Sequence, residues 1–199
     1  MDNIVNELVL RMGLFATSIA DMLMLGYPQF MQTIRQANDL DAMALPDIER
    51  SSGETFRHIP DLAWIADDKV TSQERHEKLI QQGTVWVAQD NQKIITGFLT
   101  AELHQDALHI WQMSVRFDQQ RQGIGRSLIR AAELWARSRH LTALTLTTFR
   151  DVSWNAPFYR ACGFEIVNPL ACPMLLKVLD AEREAGLPIE QRCGMIWPL

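Results

Sequence analysis

The sequence predicts one α/β domain in which strands and helices share a single core. The chain has 199 residues, of which 47% are hydrophobic and 22% are charged, and this is enough for one sizeable core. The spacing of apolar residues changes from a helical period to a strand period near the middle of the chain. No internal repeat or low-complexity linker divides it. Together these observations favour one α/β domain.

The first thirty residues are expected to be separate from this domain. Apolar side chains recur at near-helical spacing from 3 to 26, before a Gly-Tyr-Pro stop signal. The stretch lacks a basic n-region, and Asp21 interrupts its apolar run, so we expect neither a signal peptide nor a membrane span. Residues 1–30 are interpreted as an N-terminal extension, helical or disordered, and residues 31–199 as the domain. The expected location is cytoplasmic.

The domain is predicted to begin with a strand and two helices. Residues 31–38 have the pattern of a short strand, and Asp39 can cap a helix in which Pro46 marks a kink or a new first turn. Residues 59–68 have the composition of a loop. The next helix is predicted over 73–83, with a capping segment before it and a glycine at its end.

Three strands then follow one another as an antiparallel meander. They are predicted at 84–89, 93–103 and 107–115, separated by Asp90-Asn91 and by Gln105-Asp106, which are turn sequences. The second half of the chain alternates again between helices and strands. The predicted elements are a helix from Gly123 to about His140, a strand at 141–149, a short helix at 155–163, a strand at 164–167, a helix at 174–186 and a last strand at 192–197.

Charge and cysteine content exclude several classes of function. The net charge of −5 argues against a nucleic-acid-binding protein, whose affinity would depend on neutralising phosphates, and mildly favours a cationic or neutral small substrate. The three cysteines have no C-x-x-C spacing, which predicts reduced thiols rather than disulfides or a metal site.

A strand, a glycine-containing loop and a helix N-terminus occur in succession after Val115. Gly123 and Gly125 let the backbone approach a ligand closely, and the first amides of the helix favour an anion such as phosphate. A Walker A loop would need Gly-Lys-Ser/Thr, but Arg126 follows the second glycine. A dinucleotide fingerprint would need a small residue where Leu128 stands, so both common nucleotide motifs are excluded.

The pattern that fits is Q-x-x-G-x-G, formed by Gln120, Gly123 and Gly125, together with "FYRACGF" downstream. This combination resembles the GNAT superfamily of acyl-CoA-dependent N-acetyltransferases, over roughly Thr33 to Val167. The resemblance implies a mixed central sheet of six or seven strands in which the fourth strand splays from the fifth. The resulting V-shaped cleft would admit the pantetheine arm of acetyl-CoA as cosubstrate, and no metal is expected.

The resemblance also implies which residues contact the cosubstrate. The strand end would offer backbone groups to the pantetheine arm, and the loop amides would hold the pyrophosphate. Asn155 could instead cap the helix that it precedes. Arg121 and Arg126 could instead be solvated surface residues. The predicted contacts are Met113, Val115, Gln120, Arg121, Gln122, Gly123, Ile124, Gly125, Arg126, Ser127 and Asn155.

For catalysis, Tyr159 matches the tyrosine that protonates the leaving thiolate in that superfamily, although a buried tyrosine with a structural role is the alternative. Strand alternation places His109, Trp111, Met113 and Val115 on one face. His109 is one candidate general base, Glu102 is another, and an ordered water is a third.

Phe56, Trp64 and Trp111 are the predicted aromatic lining of the acceptor site, with core packing as the alternative. The acceptor is expected to be a primary amine of a small molecule or peptide, with a polyamine, an amino acid, an antibiotic and a peptide N-terminus all open. Dimer contacts are common in this superfamily, so a homodimer is compatible with the resemblance. Val152 stands where an asparagine is usual. The alternative function is therefore an acyl-CoA-binding sensor or interaction module that has lost transfer.

Overall fold

The computed structural model describes residues 32–199. Their seven strands make one mixed sheet in the order β1-β2-β3-β4-β5-β7-β6, which confirms the predicted fold class. The predicted N-terminal extension, residues 1–30, lies outside the described residues. The strands are β1 (Thr33–Gln36), β2 (Val85–Gln89), β3 (Ile95–His104), β4 (Ala107–Val115), β5 (Ala143–Phe149), β6 (Glu165–Ile166) and β7 (Arg192–Pro198).

Helices flank the sheet, and several short 3-10 segments connect them. The α-helices are α1 (Leu45–Gly53), α2 (Gln73–Gln81), α3 (Ile124–Ser138), α4 (Ala156–Arg160) and α5 (Pro173–Glu184). The 3-10 segments are Asp39–Ala44, Glu54–His58, Pro60–Asp67, Phe117–Gln119, Pro169–Ala171 and Ile189–Gln191. Within residues 32–199, no helix combines the length and the apolar character that crossing a membrane requires.

Two predictions in the first half of the domain are wrong. Asn38, not Asp39, caps the first helical segment, because its side chain accepts a hydrogen bond from the Leu40 amide at 3.0 Å. The segment predicted as a loop is the 3-10 helix Pro60–Asp67. Its buried Leu62 and Ala66 are four residues apart, a helical spacing that brings both side chains to the protein interior.

The predicted splay of the central strands is confirmed. β4 and β5 are parallel, but they pair only over residues 107–110 and 143–146. Beyond that point β4 continues to Val115 paired with β3, while β5 continues to Phe149 paired with β7. Because β4 and β5 are not hydrogen-bonded to each other beyond this point, a cleft opens between their C-terminal ends.

An extra residue in β4 changes the direction of the side chains at this cleft. Thr100 pairs with Gln112, whereas Ala101 pairs with Ile110, so Trp111 has no opposite residue in β3. This is a β-bulge, in which two residues on one strand oppose one on the other. A bulge of one residue reverses the inward and outward alternation on either side of it.

The prediction that His109, Trp111, Met113 and Val115 share one face of β4 is therefore wrong. Met113 and Val115 pack against the hydrophobic core on the α3 side of the sheet. His109 lies on the opposite face, where its Nδ1 is 2.9 Å from the hydroxyl oxygen of Thr145. Because of the bulge, the side chains of Met113 and Val115 lie on one face of the sheet and that of His109 lies on the other.

The sheet is covered by a separate hydrophobic core on each face. On one face α3 packs with the centres of the strands and with the β6 end of the sheet. On the other face α1 and α2 cover the first strands. Residues 128, 129, 132 and 136 of α3 are fully or almost fully buried and form the apolar stripe that faces this core, with Trp135 partly buried beside them.

Candidate active site

The loop between β4 and α3 ends on a glycine that the backbone requires. Gly123 has φ +83, in the left-handed region that favours glycine, and it is the residue from which α3 starts. A Cβ at Gly123 would meet no atom within 4 Å, so the space beside it is open. The first amides of α3 consequently face an open region that suits an anion.

The side chain of Gln120 braces this loop from within the protein. Its Nε2 donates to the Val115 carbonyl at 3.1 Å, and its Oε1 accepts from the Thr55 hydroxyl at 3.1 Å. The glutamine of the Q-x-x-G-x-G pattern therefore ties the loop both to the end of β4 and to the segment after α1. Its structural contribution is to fix where the loop amides stand.

Two cavities lie at the C-terminal ends of β4 and β5, and each has a volume of about 270 Å³. We call the one beside the loop the loop chamber. Its lining includes, from the sequence prediction, Met113, Val115, Gln120, Arg121, Gly123, Ile124, Gly125, Arg126 and Asn155. Gln122 and Ser127 do not line it, and the hydroxyl of Ser127 instead donates to the Gly123 carbonyl at 3.3 Å.

We call the other cavity the second chamber, and it lies between α1, β4 and β5. Its walls include Glu49 from α1, Trp111 and Gln112 from β4, and Arg192 from β7. Five residues line both chambers and therefore mark the junction between them. These junction residues are Ser52, Phe56, Met113, Asn155 and Tyr159.

Tyr159 is held at this junction by α4. Its ring packs edge-on against Phe158 and Phe164, with centroids 5.3 and 5.8 Å away. Burial raises the pKa of Tyr159 above its usual value, so the hydroxyl stays protonated at neutral pH. It makes no hydrogen bond to any of the described residues, and the alternative of a structural hydrogen bond finds no partner there. The geometry leaves a protonated donor at the meeting point of two cavities.

Asn155 also faces both chambers. It stands at the start of α4, yet its side chain makes no capping hydrogen bond. Only its backbone carbonyl serves the helix, accepting from the Tyr159 amide at 3.0 Å. The side-chain amide is thus available to a ligand, whereas Val152 is buried beside Leu62 and Phe149 away from both chambers.

The two candidate bases from the sequence do not line either chamber. His109 is fully buried, and this burial lowers the pKa of His109 to about 4, so it is neutral at physiological pH. Its ring packs against Trp111 at 4.5 Å between centroids. Glu102 pairs with Arg75 at 2.8 Å on the outer surface of the sheet.

Of the three aromatic residues predicted to line the acceptor site, two line the second chamber and one does not. Phe56 and Trp111 line the second chamber, and Phe56 also packs against Phe149 and Trp154 at 5.7 and 5.8 Å between centroids. Trp64 is 44% exposed and lines neither chamber. Trp154, which the sequence did not single out as a substrate contact, lines the loop chamber.

The second chamber contains polar residues that the sequence did not indicate. Arg192 is held by Glu182 through two contacts of 2.5 and 2.9 Å, and it stacks over Phe149 at 4.7 Å from the ring centroid. Glu49 lies two helical turns before Phe56, and that spacing is a signal that could have placed both on one side. Nothing local indicates Arg192, because β7 reaches the site only through its pairing with β5.

The described residues contain no group of three or more histidine, cysteine, aspartate or glutamate side chains arranged to hold a metal ion. Cys162, Cys172 and Cys193 are free thiols. The site is instead made of backbone amides at a helix N-terminus, a cleft between diverging parallel strands, and a protonated tyrosine. These features suit the binding of an anion in one cavity beside a second, adjoining cavity.

Comparison with known proteins identifies the family. Residues 81–166, from α2 to β6, match the model of the acetyltransferase (GNAT) domain. This segment contains β4, the loop, α3 and Tyr159, which supply most of the lining of the loop chamber. The match supports the GNAT superfamily that the sequence motifs indicated, over the segment from α2 to β6.

Solved structures with the same fold include three that illustrate its range. A PaiA N-acetyltransferase from Thermoplasma acidophilum in complex with coenzyme A has a TM-score of 0.63 at 15% identity, covering 84% of this chain and 99% of that one. The ribosomal-protein-S18-alanine N-acetyltransferase from Escherichia coli has a TM-score of 0.58 at 18% identity, covering 84% and 94%. The N-acetylglutamate synthase from Neisseria gonorrhoeae, complexed with coenzyme A and N-acetyl-glutamate, has a TM-score of 0.60 at 16% identity, covering 84% and 35%. At such identities the likeness establishes the fold.

Proposed function

We propose that this protein is an N-acetyltransferase that moves an acetyl group from acetyl-CoA to a primary amine by direct transfer in a ternary complex. The observation that carries this proposal is the junction of the two chambers, where Tyr159 stands between the loop chamber and the second chamber. One chamber takes the donor and the other takes the acceptor. The reacting atoms then meet beside a protonated hydroxyl.

The loop chamber has the features that acetyl-CoA needs. The pyrophosphate is held by the amides at the start of α3, and the open space beside Gly123 leaves room for it. Arg126 lies at the rim, where its guanidinium donates to the Ala161 carbonyl at 3.1 Å and adds positive charge. The pantetheine arm follows the gap between β4 and β5 toward Met113, which places the thioester at the junction.

The acceptor reacts as a neutral amine, so its ammonium form first loses a proton to solvent. The amine nitrogen bonds to the thioester carbonyl carbon, and the carbon–sulfur bond breaks. Tyr159 gives its proton to the leaving thiolate and is reprotonated by the proton that leaves the new amide nitrogen. The products are the acetylated amine and the free thiol of coenzyme A.

The acceptor loses its first proton most simply to water, since neither His109 nor Glu102 lines a chamber. His109 would also be a weak base at neutral pH, because its pKa is lowered to about 4 by burial. Tyr159 is therefore the one side chain to which the proposal gives a direct proton-transfer role.

The proposal is tested by measuring free thiol during incubation of the full-length protein with acetyl-CoA and a panel of primary amines. We expect amine-dependent thiol release and a matching amount of N-acetylated product by mass spectrometry. Coenzyme A binding is measured in parallel by calorimetry. Binding without turnover across a broad panel would contradict the enzyme assignment and would support the sensor.

A further inference from the structure

The second chamber contains a carboxylate with an unused oxygen. Glu49 is half-buried on α1, and its Oε2 accepts a hydrogen bond from the Thr71 amide at 2.9 Å. No group among the described residues bonds to Oε1. A partly desolvated carboxylate with one free oxygen is a strong acceptor for a charged donor.

Most of the positive charge around this chamber is already neutralised. Arg192 makes its two contacts with Glu182 at 2.5 and 2.9 Å, and this pair is largely buried. Arg50, which also lines the chamber, pairs with Asp47 at 2.7 Å, and both side chains are exposed to solvent. The charge of Arg192 is therefore taken up by Glu182, and that of Arg50 is offset by Asp47 and screened by water.

The charges that remain in the lining are those of Glu49, Asp68 and Lys69. Asp68 and Lys69 are neighbours in the chain and both are exposed to solvent, so they largely cancel and are screened. Glu49 is therefore the dominant unpaired charge of the second chamber. Its field attracts a cation and repels an anion.

Glu49 does not lie at the junction where the acetyl group is transferred. Ser52, three residues later on α1, lines both chambers, whereas Glu49 lines only the second. Three residues of α-helix correspond to a rise of about 4.5 Å. Glu49 is thus about one helical turn along α1 from Ser52, which lies at the junction.

The largely polar lining of this chamber also includes aromatic side chains. Phe56 is at the junction, and Trp111 lines the chamber with a ring that is 44% exposed because the bulge of β4 turns it outward. Aromatic faces accommodate methylene groups and also attract cations. The second chamber therefore combines aromatic surface with a negative charge.

We propose that the acceptor is a dicationic amine: one amino group reacts at the Tyr159 junction while a second ammonium group binds Glu49. This inference rests on the proposed function and names the substrate class of the same site. A single carbon chain of a few methylene groups spans the path between the two positions. An acceptor whose far end is a carboxylate is disfavoured, because it would meet Glu49 rather than a free arginine.

The test uses three amines with the same five-carbon chain. Pentylamine has an apolar far end, 1,5-diaminopentane has an ammonium, and 5-aminopentanoate has a carboxylate. For the wild-type protein we expect kcat/KM to be roughly 10-fold higher for the diamine than for pentylamine, the size of effect that one charge-assisted hydrogen bond produces. 5-Aminopentanoate is expected to be the poorest of the three.

The Glu49→Gln variant keeps the shape of the side chain and removes its charge. We expect the preference for the diamine over pentylamine to fall to about 2-fold or less, a loss of most of one charge-assisted contact. The matched control is Glu54→Gln, which removes a carboxylate just after the same helix; neither Glu54 nor its partner Arg57 lines a chamber, so this variant should keep the wild-type preference. Equal rates with pentylamine and the diamine, a preference for 5-aminopentanoate, or an unchanged preference in Glu49→Gln would each overturn the inference.

A binding measurement separates this inference from the proposed function. Calorimetric titration of each amine into the protein with coenzyme A bound reports recognition without turnover. If no amine is acetylated but the diamine binds and Glu49→Gln abolishes that binding, the transfer proposal fails and the inference holds. If pentylamine is acetylated and the diamine has no advantage in binding or rate, the inference fails and the transfer proposal holds.

Discussion

At the scale of single residues, burial keeps the hydroxyl of Tyr159 protonated, so that it can act as a proton donor. Its hydroxyl lacks a hydrogen bond to the described residues, and burial raises its pKa above the usual value. If the hydroxyl of a buried tyrosine donated a hydrogen bond to another protein group, its proton would not be available to a substrate. Here the hydroxyl lies where both chambers open, so its proton is available to a substrate.

Replacing Tyr159 with phenylalanine removes this proton and keeps the ring. We expect kcat to fall by about 10²-fold or more, the usual contribution of a positioned acid. The dissociation constant of acetyl-CoA should stay within about 2-fold of the wild-type value, because the loop amides rather than the hydroxyl hold the pyrophosphate. Steady-state thiol release and calorimetry measure the two quantities, and full turnover in the variant would remove Tyr159 from the mechanism.

His109 provides the complementary prediction. Because it is fully buried on the face of β4 away from Met113, His109→Gln should leave the pH profile of kcat/KM unchanged in shape. Glu102→Gln should do the same, since Glu102 is engaged with Arg75. The measurement is kcat/KM across pH 6 to 9 for both variants beside wild type. Loss of a titrating limb in either variant would restore that residue as the general base.

At the scale of secondary structure, the loop and α3 act together. Gly123 gives the left-handed turn, Gln120 ties the loop to β4, and the helix supplies unpaired amides. Gly97 of β3 lets the strands close beneath this loop, since a Cβ there would come within 3.0 Å of the Ser114 carbonyl. The proposed anion site therefore depends on several elements and not on the glycine pattern alone.

This dependence can be tested with two glycines in the same backbone conformation. Gly123 has φ +83 and Gly186 has φ +90, and a Cβ on either would meet no atom within 4 Å. Alanine at each position should therefore destabilise the fold by a similar amount, about 1 kcal/mol. Only Gly123→Ala is expected to weaken coenzyme A binding, by about 10-fold or more, as the loop amides move.

The matched pair is read by calorimetry for binding and by denaturant titration for stability. Similar coenzyme A affinity in the Gly123→Ala and Gly186→Ala variants would mean that the loop conformation does not create the site. Weaker binding in Gly123→Ala alone would assign the effect to the loop rather than to general destabilisation.

The helices and strands followed from local patterns, and the exceptions have specific causes. The meander from β2 to β4 and the stripe of α3 are signalled by periods of two and 3.6 residues, which depend only on neighbouring side chains. The bulge at Trp111 left no signal, because it arises from the pairing of β4 with β3. Strand alternation alone consequently predicted that Met113 and His109 lie on the same face of the sheet, whereas they lie on opposite faces.

At the scale of the whole molecule, the site depends on long-range pairing. Glu49, Tyr159 and Arg192 come from distant parts of the chain and line one chamber because α1, α4 and β7 pack on the diverging strands. The motif around Gln120 predicted most of the lining of the loop chamber, because that lining comes largely from consecutive residues. For the second chamber the sequence predicted Phe56 and Trp111 but neither Glu49 nor Arg192, because the fold brings these distant residues together. A homodimer stays a prediction.

Stability should fall as the solution is acidified. His76 and His109 are fully buried, and burial lowers the pKa of each to about 4 from an ordinary value of 6.5. Between these values the unfolded chain binds protons that the folded protein does not, so the free energy of unfolding is largest above about pH 6.5 and declines toward pH 4. The slope is at most about 1.4 kcal/mol per pH unit for each histidine.

Denaturant titrations at several pH values between 4 and 7.5 measure this slope. His76→Gln and His109→Gln each remove one titrating group, so each variant should show a shallower dependence even though both start from lower stability at pH 7. A slope that neither substitution reduces would show that other groups, such as the paired carboxylates, cause the acid sensitivity.

Direct transfer between two chambers is the central claim, and initial-velocity kinetics test it most directly. Rates are measured while acetyl-CoA and the amine are both varied, and intact-mass spectra are recorded with acetyl-CoA alone. We predict intersecting double-reciprocal lines and no acetylated protein, because both substrates must be bound before transfer. Parallel lines together with an acetylated protein, for instance on the free thiol of Cys162, would contradict direct transfer at the Tyr159 junction.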